Sequence, residues 1–342
     1  MQNDNAKKEG MKQMPAKKDP VKTAPPAKVK PRRRSRWTRD DTELSILALP
    51  TTVWYILFCY LPMFGIILAF KDYRITQGAS FLTSLLKSDW IGLKNFEYFF
   101  NLPIFPQLLR NTLLYNIVFI VMGIVFPVLF AILISNIYSK RLSKTYQTLM
   151  FMPHFMSWVV VSYFVMAFLN PTLGLANTIV EWFGGKPISW YMEAKYWPYI
   201  LVFLNFWKTI GYNMVVYLAS ITGIDQSLYE AAVLDGASKF QQARYITIPS
   251  IRPIIIMMFI LSVGRIFSTD FGLFYQVTRG AQFPLDGVTT TFDVQVFKML
   301  NSQGTTMGQT TAASMFQAVV GCITILCANG IVRKVDKSSA LI

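Results

Sequence analysis

Polar side chains set inside long apolar runs are the chemistry-bearing residues of this sequence. Asn205, Lys208, Thr209, Tyr212 and Asn213 fall at relative positions 0, 3, 4, 7 and 8, which is one face of a helix. Ser262, Arg265, Thr269 and Asp270 fall at 0, 3, 7 and 8, and Thr310, Ser314 and Gln317 share a third face. Charged and amide groups are costly within a bilayer, so such stripes face a cavity or another helix rather than lipid. The chemistry on offer is hydrogen bonding and charge, suited to holding a polar solute. No carboxylate stands at mid-depth to pair with Lys208 or Arg265, and Asp270 is the nearest. Those cations therefore meet water, backbone carbonyls, a partner subunit or an anionic solute. Lining of a translocation path and plain helix packing both fit the stripes. The candidate path residues are Asn205, Lys208, Tyr212, Asn213, Arg265, Thr269 and Gln317.

Reaction chemistry is poorly supplied. His154 is the single histidine, has no Asp or Glu near it, and reads as a hydrogen-bonded structural group rather than a proton relay. Cys59, Cys322 and Cys327 lie in apolar runs without a CxxC pair, which argues against a zinc site or a disulfide framework. There is no GxxxxGK[ST] phosphate loop, and the GGKP at 184–187 is not one. A membrane enzyme would need a nucleophile–base or metal constellation, and none is evident.

The elements that must position the stripes are apolar helices. Of 342 residues 53% are hydrophobic and only 15% charged, against about a quarter charged in soluble domains. The composition predicts an all-α polytopic membrane protein. Residues 1–43 carry 13 Lys/Arg against six acidic residues and are expected to be a disordered basic tail. Arg32, Arg33, Arg34 and Arg36 mark the cytoplasmic side or rest on anionic lipid. Residues 44–342 are expected to form a six-helix transmembrane domain. Its first span is the charge-free Leu44–Phe70, kinked at Pro62. The others are predicted at about 111–137, 150–169, 198–221, 253–271 and 311–332. Six spans put both termini on one side, and the distribution of Lys and Arg makes that side cytoplasmic. The opposite side receives longer loops at about 71–110, 170–197 and 272–310, rich in Trp, Phe and Tyr.

The loop at about 222–252, between the fourth and fifth spans, is cytoplasmic on this count. Asp225 is placed to cap a helix that Gly236 ends, and Ser238 with Gln241 forms an S-x-x-Q capping box for a second. Pro249 and Pro253 are expected to stop that second helix before the fifth span. Tyr229, Ala232 and Val233 make a small apolar stripe. A docking surface and an ordinary amphipathic loop both satisfy these residues.

The spacing Glu230-Ala231-Ala232, three residues, Gly236, nine residues, Ile246, one residue, Ile248-Pro249 closely resembles the EAA motif. That motif belongs to permease subunits of binding-protein-dependent ABC importers, which have a MetI-like fold. The family carries Leu where this chain has Ile248. The stretches WKTIGYNMVVYLASITGIDQSLYEAAVLDGA and YLPMFGIILAFKDY are similar to the carbohydrate-uptake branch. The resemblance covers residues 44–342. It implies that Tyr229, Glu230, Ala231, Ala232, Asp235 and Gly236 belong to a coupling helix seated on a separate ATPase. It further implies a second homologous permease, two ABC ATPase subunits that bind ATP and Mg, and an extracytoplasmic solute-binding protein. No cofactor on this chain and no nucleic acid are implied. Tyr212 and Phe206 would offer aromatic faces to a sugar, and an oligosaccharide is the expected cargo, carried across a bacterial inner membrane. The alternative class is an ion-driven secondary transporter of a polar solute, which leaves the EAA spacing unexplained.

Overall fold

A computed structural model describes residues 38–74, 78 and 80–335. The tail before Thr38, with its arginine cluster, and Lys337 near the C-terminus lie outside the described residues. The chain divides into two units, residues 1–60 and 61–342.

In the first unit, α1 spans Arg39–Tyr55 and leads into a π-helical segment at Ile56–Tyr60. The expected start was Leu44, with residues to 43 in the tail; the helix begins five residues earlier. The cause is a capping box. The Asp41 amide donates to the Thr38 hydroxyl, and the Thr38 amide donates to the Asp41 carboxylate at 2.8 Å. The sequence Asp40–Phe70 is long and apolar enough to cross a membrane. Pro62, expected to kink it, precedes a 3-10 segment at Phe64–Phe70.

The second unit is mostly helical; among the described residues its one small sheet pairs Lys71–Asp72 antiparallel with Asp89–Trp90. The helices that build the site and its supports are α2 Phe105–Ser135, α3 Lys140–Phe151, α4 Trp158–Phe168, α5 Trp197–Thr222, α6 Gln226–Leu234, the single turn α7 Lys239–Gln242, α8 Ile248–Val263, α9 Phe292–Leu300 and α10 Met307–Val335. Proline opens both α2 and α5, where a missing N–H costs nothing. These two helices pack along much of their length. Two buried clusters unite them with their neighbours. Tyr115, Trp197, Leu201 and Phe274 belong to one, and Ile132, Met214, Tyr217 and Ile251 to the other.

Among the described residues four helices are long and apolar enough to cross a membrane, or five if the bent pair Lys140–Phe155 and Trp158–Phe168 is one span. The expected fourth span, α5, has the length at 26 residues but falls outside that count, its apolar run being interrupted by the polar stripe. The expected straight helix at 150–169 is instead broken, with a bend of 96°. Pro153 sits in a 3-10 turn at Met152–Phe155, and the Ser157 hydroxyl then caps α4 by accepting from the Val160 amide. With 11 residues α4 reaches about 16 Å, roughly half of a ~30 Å hydrocarbon layer.

Pro249 and Pro253 do not stop the second loop helix. Lys239–Val263 runs as one stretch, with a π turn at Ala243–Thr247. That turn contains the Tyr245 carbonyl against which the Pro249 ring would clash in a regular helix, so widening there accommodates the proline. The stretch also ends early, at Val263 rather than Phe271.

Candidate functional site

The loop after α5 is built from local signals. The Asp225 carboxylate accepts from the Ser227 amide at 3.0 Å and caps α6. That backbone bond holds the Asp225 carboxyl below its ordinary value. At the other end Gly236 has φ +77°, the Gly236 amide donates to the Val233 carbonyl, and the Ala237 amide donates to the Ala232 carbonyl. This is a Schellman ending, which needs a left-handed residue at Gly236. The capping box of Ser238 and Gln241 then starts α7.

Two buried groups fix how the helices meet. Gln242 donates to the Ala237 carbonyl at 3.0 Å, and the hydroxyls of Tyr229 and Thr247 lie 2.9 Å apart. Tyr229 is thus half-buried as a brace between α6 and the π turn. Glu230, Ala231, Asp235 and Gly236 are exposed, and Ala232 is half-buried. Apolar residues are exposed beside them: Leu228, Val233, Leu234 at 88% and Phe240 at 73%.

The α5 stripe is held by contacts distant in sequence. Lys208 Nζ donates to the His154 carbonyl at 3.0 Å and lies 5.2 Å from the centre of the Trp158 ring. Tyr212 stacks on the His154 imidazole with centroids 4.6 Å apart. Both partners lie at the break between α3 and α4, so the bend wraps the stripe. Gly211 permits this closeness, because a Cβ there would come within 2.0 Å of the Met150 carbonyl oxygen. Asn213 points elsewhere, donating to the Gly123 carbonyl on α2 at 3.5 Å, and Thr209 bonds back to the Asn205 carbonyl within α5. Phe206 meets Phe126 edge-on. The imidazole of His154 is not the hydrogen-bonded group expected: its Nδ1 is buried without a partner among the described residues. The residue works through its carbonyl and its ring face.

Arg265, Thr269 and Asp270 do not continue a helical face with Ser262, since α8 has already ended. They lie in a non-helical turn of residues 264–270. Irregular backbone is tolerated at membrane depth only when other groups satisfy it. Here Asn116 of α2 donates to the carbonyls of Ile266 at 2.9 Å and Ser268 at 3.2 Å, and Gln317 of α10 donates to that of Phe267 at 2.8 Å. Gln317 is therefore a backbone clamp. Thr269 is a tie to α9: its amide and hydroxyl both donate to Asp293, and the hydroxyl also meets Thr291. Arg265 is exposed.

Asp270 pairs with neither cation. It accepts from Trp158 Nε1 at 2.5 Å and from the amides of Gly272 and Leu273. Trp158 thus stands between Lys208 and Asp270, touching one through its ring face and the other through its N–H. Gly272 leaves room for it, because a Cβ there would meet the indole at 2.4 Å. Trp158, Asn116 and Asp293 were not among the sequence candidates. Asn116 follows Thr112 by four residues, on the same face of a largely apolar helix, and that spacing is a signal that could have been read. Trp158 has no such mark.

Residues 109–338 match the family model described as "Binding-protein-dependent transport system inner membrane component". The chain is 32% identical over 299 residues to the LplB protein of Bacillus subtilis, covering 87% of this chain and 91% of that one. It is 33% identical to YteP of the same organism, a polygalacturonan/rhamnogalacturonan transport permease, over 85% of this chain and 88% of the relative. Among solved structures it resembles a chain of a bacterial ABC transporter that imports the acidic polysaccharide alginate. The TM-score is 0.77 at 31% identity, over 87% of this chain and 97% of that chain. A second structure of the alginate transporter, holding an alginate pentasaccharide-bound periplasmic protein, matches at TM-score 0.77 and 30% identity over 87% and 96%.

Proposed function

This chain belongs to the family of binding-protein-dependent transport system inner membrane components, and from that premise we propose that it is one permease subunit of an ATP-driven oligosaccharide importer. The family is one of transport permeases rather than enzymes, so ATP hydrolysis falls to separate ATPase subunits carrying ATP and Mg. Partnership with a second permease completes the channel. An extracytoplasmic binding protein delivers the sugar, a reading supported by the periplasmic protein seen with the alginate transporter.

The observation that carries this reading is the exposed apolar face of the loop. Leu228, Val233, Leu234 and Phe240 stand out from two short, firmly capped helices beside small residues at Ala231, Ala232 and Gly236. Apolar groups clustered on a polar loop mark a protein contact. Closure of the ATPase would be delivered through α6, and the brace from Tyr229 to Thr247 would pass it into the continuous 239–263 stretch. An ion-driven transporter leaves that surface without a purpose. In this arrangement α5 is the fourth of six spans, with its stripe toward the path, and the loop and both termini face the cytoplasm.

The cargo we infer is acidic. Neither Lys208 nor Arg265 makes an ion pair among the described residues. A carboxylate-bearing glycan would supply the missing anion, and the transporter that resembles this chain imports an acidic polysaccharide. The test is purification of the tagged chain from its host, then reconstitution with whatever co-purifies. An ATPase should accompany it, and uptake of uronic oligosaccharides should need ATP and exceed that of neutral ones. Uptake driven by an ion gradient from the chain alone would overturn the reading.

A further inference from the structure

Near α6 and α7 lies a cleft of about 760 Å³, bounded by the C-terminal ends of α2 and α5, one face of α3, and the loop. Lys140, Ser143, Lys144 and Gln147, spaced i, i+3, i+4 and i+7, line it from α3, and Lys239 lines it from α7. No Asp or Glu lines it. Lys239 donates to Gln242 at 3.3 Å, while the ammonium groups of Lys140 and Lys144 meet no partner among the described residues. The remaining wall is apolar, with Ile134, Ile137, Val215 and Leu218. The cleft is thus basic on one side and oily on the other.

The helix that supplies two of the lysines is itself amphipathic. On the face away from the cleft residues, Leu142, Tyr146 and Leu149 are exposed at 53%, 49% and 59%. A 96° bend separates the α3 segment from α4. With α4 directed into the bilayer, this bend turns α3 along the membrane surface, at the depth of the lipid headgroups.

We propose that this cleft binds an anionic phospholipid, its phosphate held by Lys140, Lys144 and Lys239 and the start of an acyl chain lying against Val215 and Leu218. The lysines match a phosphate in sign of charge, and the mixed walls fit a headgroup joined to a chain, which free phosphate does not need. The proposal rests on the cytoplasmic placement of the loop. Tyr229 and Thr247 also line the cleft, so an occupant bears on the brace that seats α6. The lipid would then act as a regulator of coupling.

The test uses the whole transporter in nanodiscs of phosphatidylcholine with phosphatidylglycerol. Native mass spectrometry should find phosphatidylglycerol retained in preference to phosphatidylcholine. In Lys140→Gln/Lys144→Gln that retention should fall about tenfold or more, and Lys140→Arg/Lys144→Arg should restore it. Unchanged retention in the glutamine variant overturns the proposal. Equal retention of both lipids by the wild type overturns it even if that variant fails to assemble. Displacement of the lipid by millimolar inorganic phosphate would identify a soluble phosphate as the occupant and also overturn it. Failure of the coupling reading is seen separately, as uptake that survives loss of ATPase co-purification in the same sample.

Discussion

In the loop between α5 and α8 the capping groups serve their own helices, and apolar side chains are left in the open. Asp225, Ser238 and Gln241 cap within three residues of themselves, while Leu234 and Phe240 are exposed. Along α5 the polar groups reach other elements. Lys208 travels to the carbonyl of His154, and Asn213 to that of Gly123. The loop is a self-sufficient unit offering a surface. The stripe is a meeting point whose geometry exists only when three helices and a bend are assembled. The two should therefore fail differently when disturbed.

The sharpest contrast is between two glycines. At Gly211 the constraint is space, since a Cβ would collide with the backbone at Met150. Gly211→Val should separate α5 from the bend at a cost of about 3 kcal/mol or more, read as a fall in the thermal midpoint in detergent, and Gly211→Asn should fare no better. Removing the cation comes next. Lys208→Ala deletes a charge-assisted bond and a contact with Trp158, a loss of about 1.5–3 kcal/mol. Uptake should collapse while co-purification with the ATPase persists. Unchanged uptake would reduce the stripe to helix packing.

These differences explain what could be read from the sequence. The caps at Asp225 and Ser238 and the stop at Gly236 depend on neighbours a few residues away, so residue type and spacing sufficed. The EAA spacing, being local, was legible for the same reason. The break at Pro153–Ser157 is also marked locally, by the proline and the Ser157 cap, but the early end of α8 at Val263 depends on distant groups. Asn116 and Gln317 take over carbonyls that a longer helix would have satisfied itself, and nothing near residue 264 announces them. That is why Arg265 and Thr269 looked like members of a helical face. It is also why Thr269 and Gln317 turned out to hold backbone and neighbouring side chains together.

At Gly236 the constraint is conformation alone, because a Cβ would meet nothing within 4 Å. Gly236→Val should cost about 1–2 kcal/mol, loosen α6, and lower ATPase co-purification and uptake together. Gly236→Asn should be nearly silent, since Asn tolerates the left-handed region. If Asn proves as harmful as Val, small size for docking matters more than backbone angle. Tyr229→Phe is milder still. It removes one hydroxyl from the brace to Thr247, about 1 kcal/mol, and should uncouple ATP hydrolysis from uptake while the ATPase stays bound.

The smallest effect concerns acid. The Asp225 carboxyl is held below its usual value by the Ser227 amide, so ionisation favours the folded cap. A depressed folded value means the contribution is complete above the unfolded pKa near ~3.9 and is lost as pH falls through the lower folded one. Amide protection at the start of α6 should therefore hold through the neutral range and weaken only in strong acid. Asn caps through a neutral carbonyl, so Asp225→Asn should keep the helix at neutral pH and erase the acid dependence. Nothing comparable is expected of the α5 stripe, where Lys208 is held by a backbone carbonyl and no carboxylate takes part in the bond. Acid-induced loss of protection confined to the loop would show that its fold is set by its own caps. Simultaneous loss around Lys208 would mean the two regions are joined more tightly than their hydrogen bonds indicate.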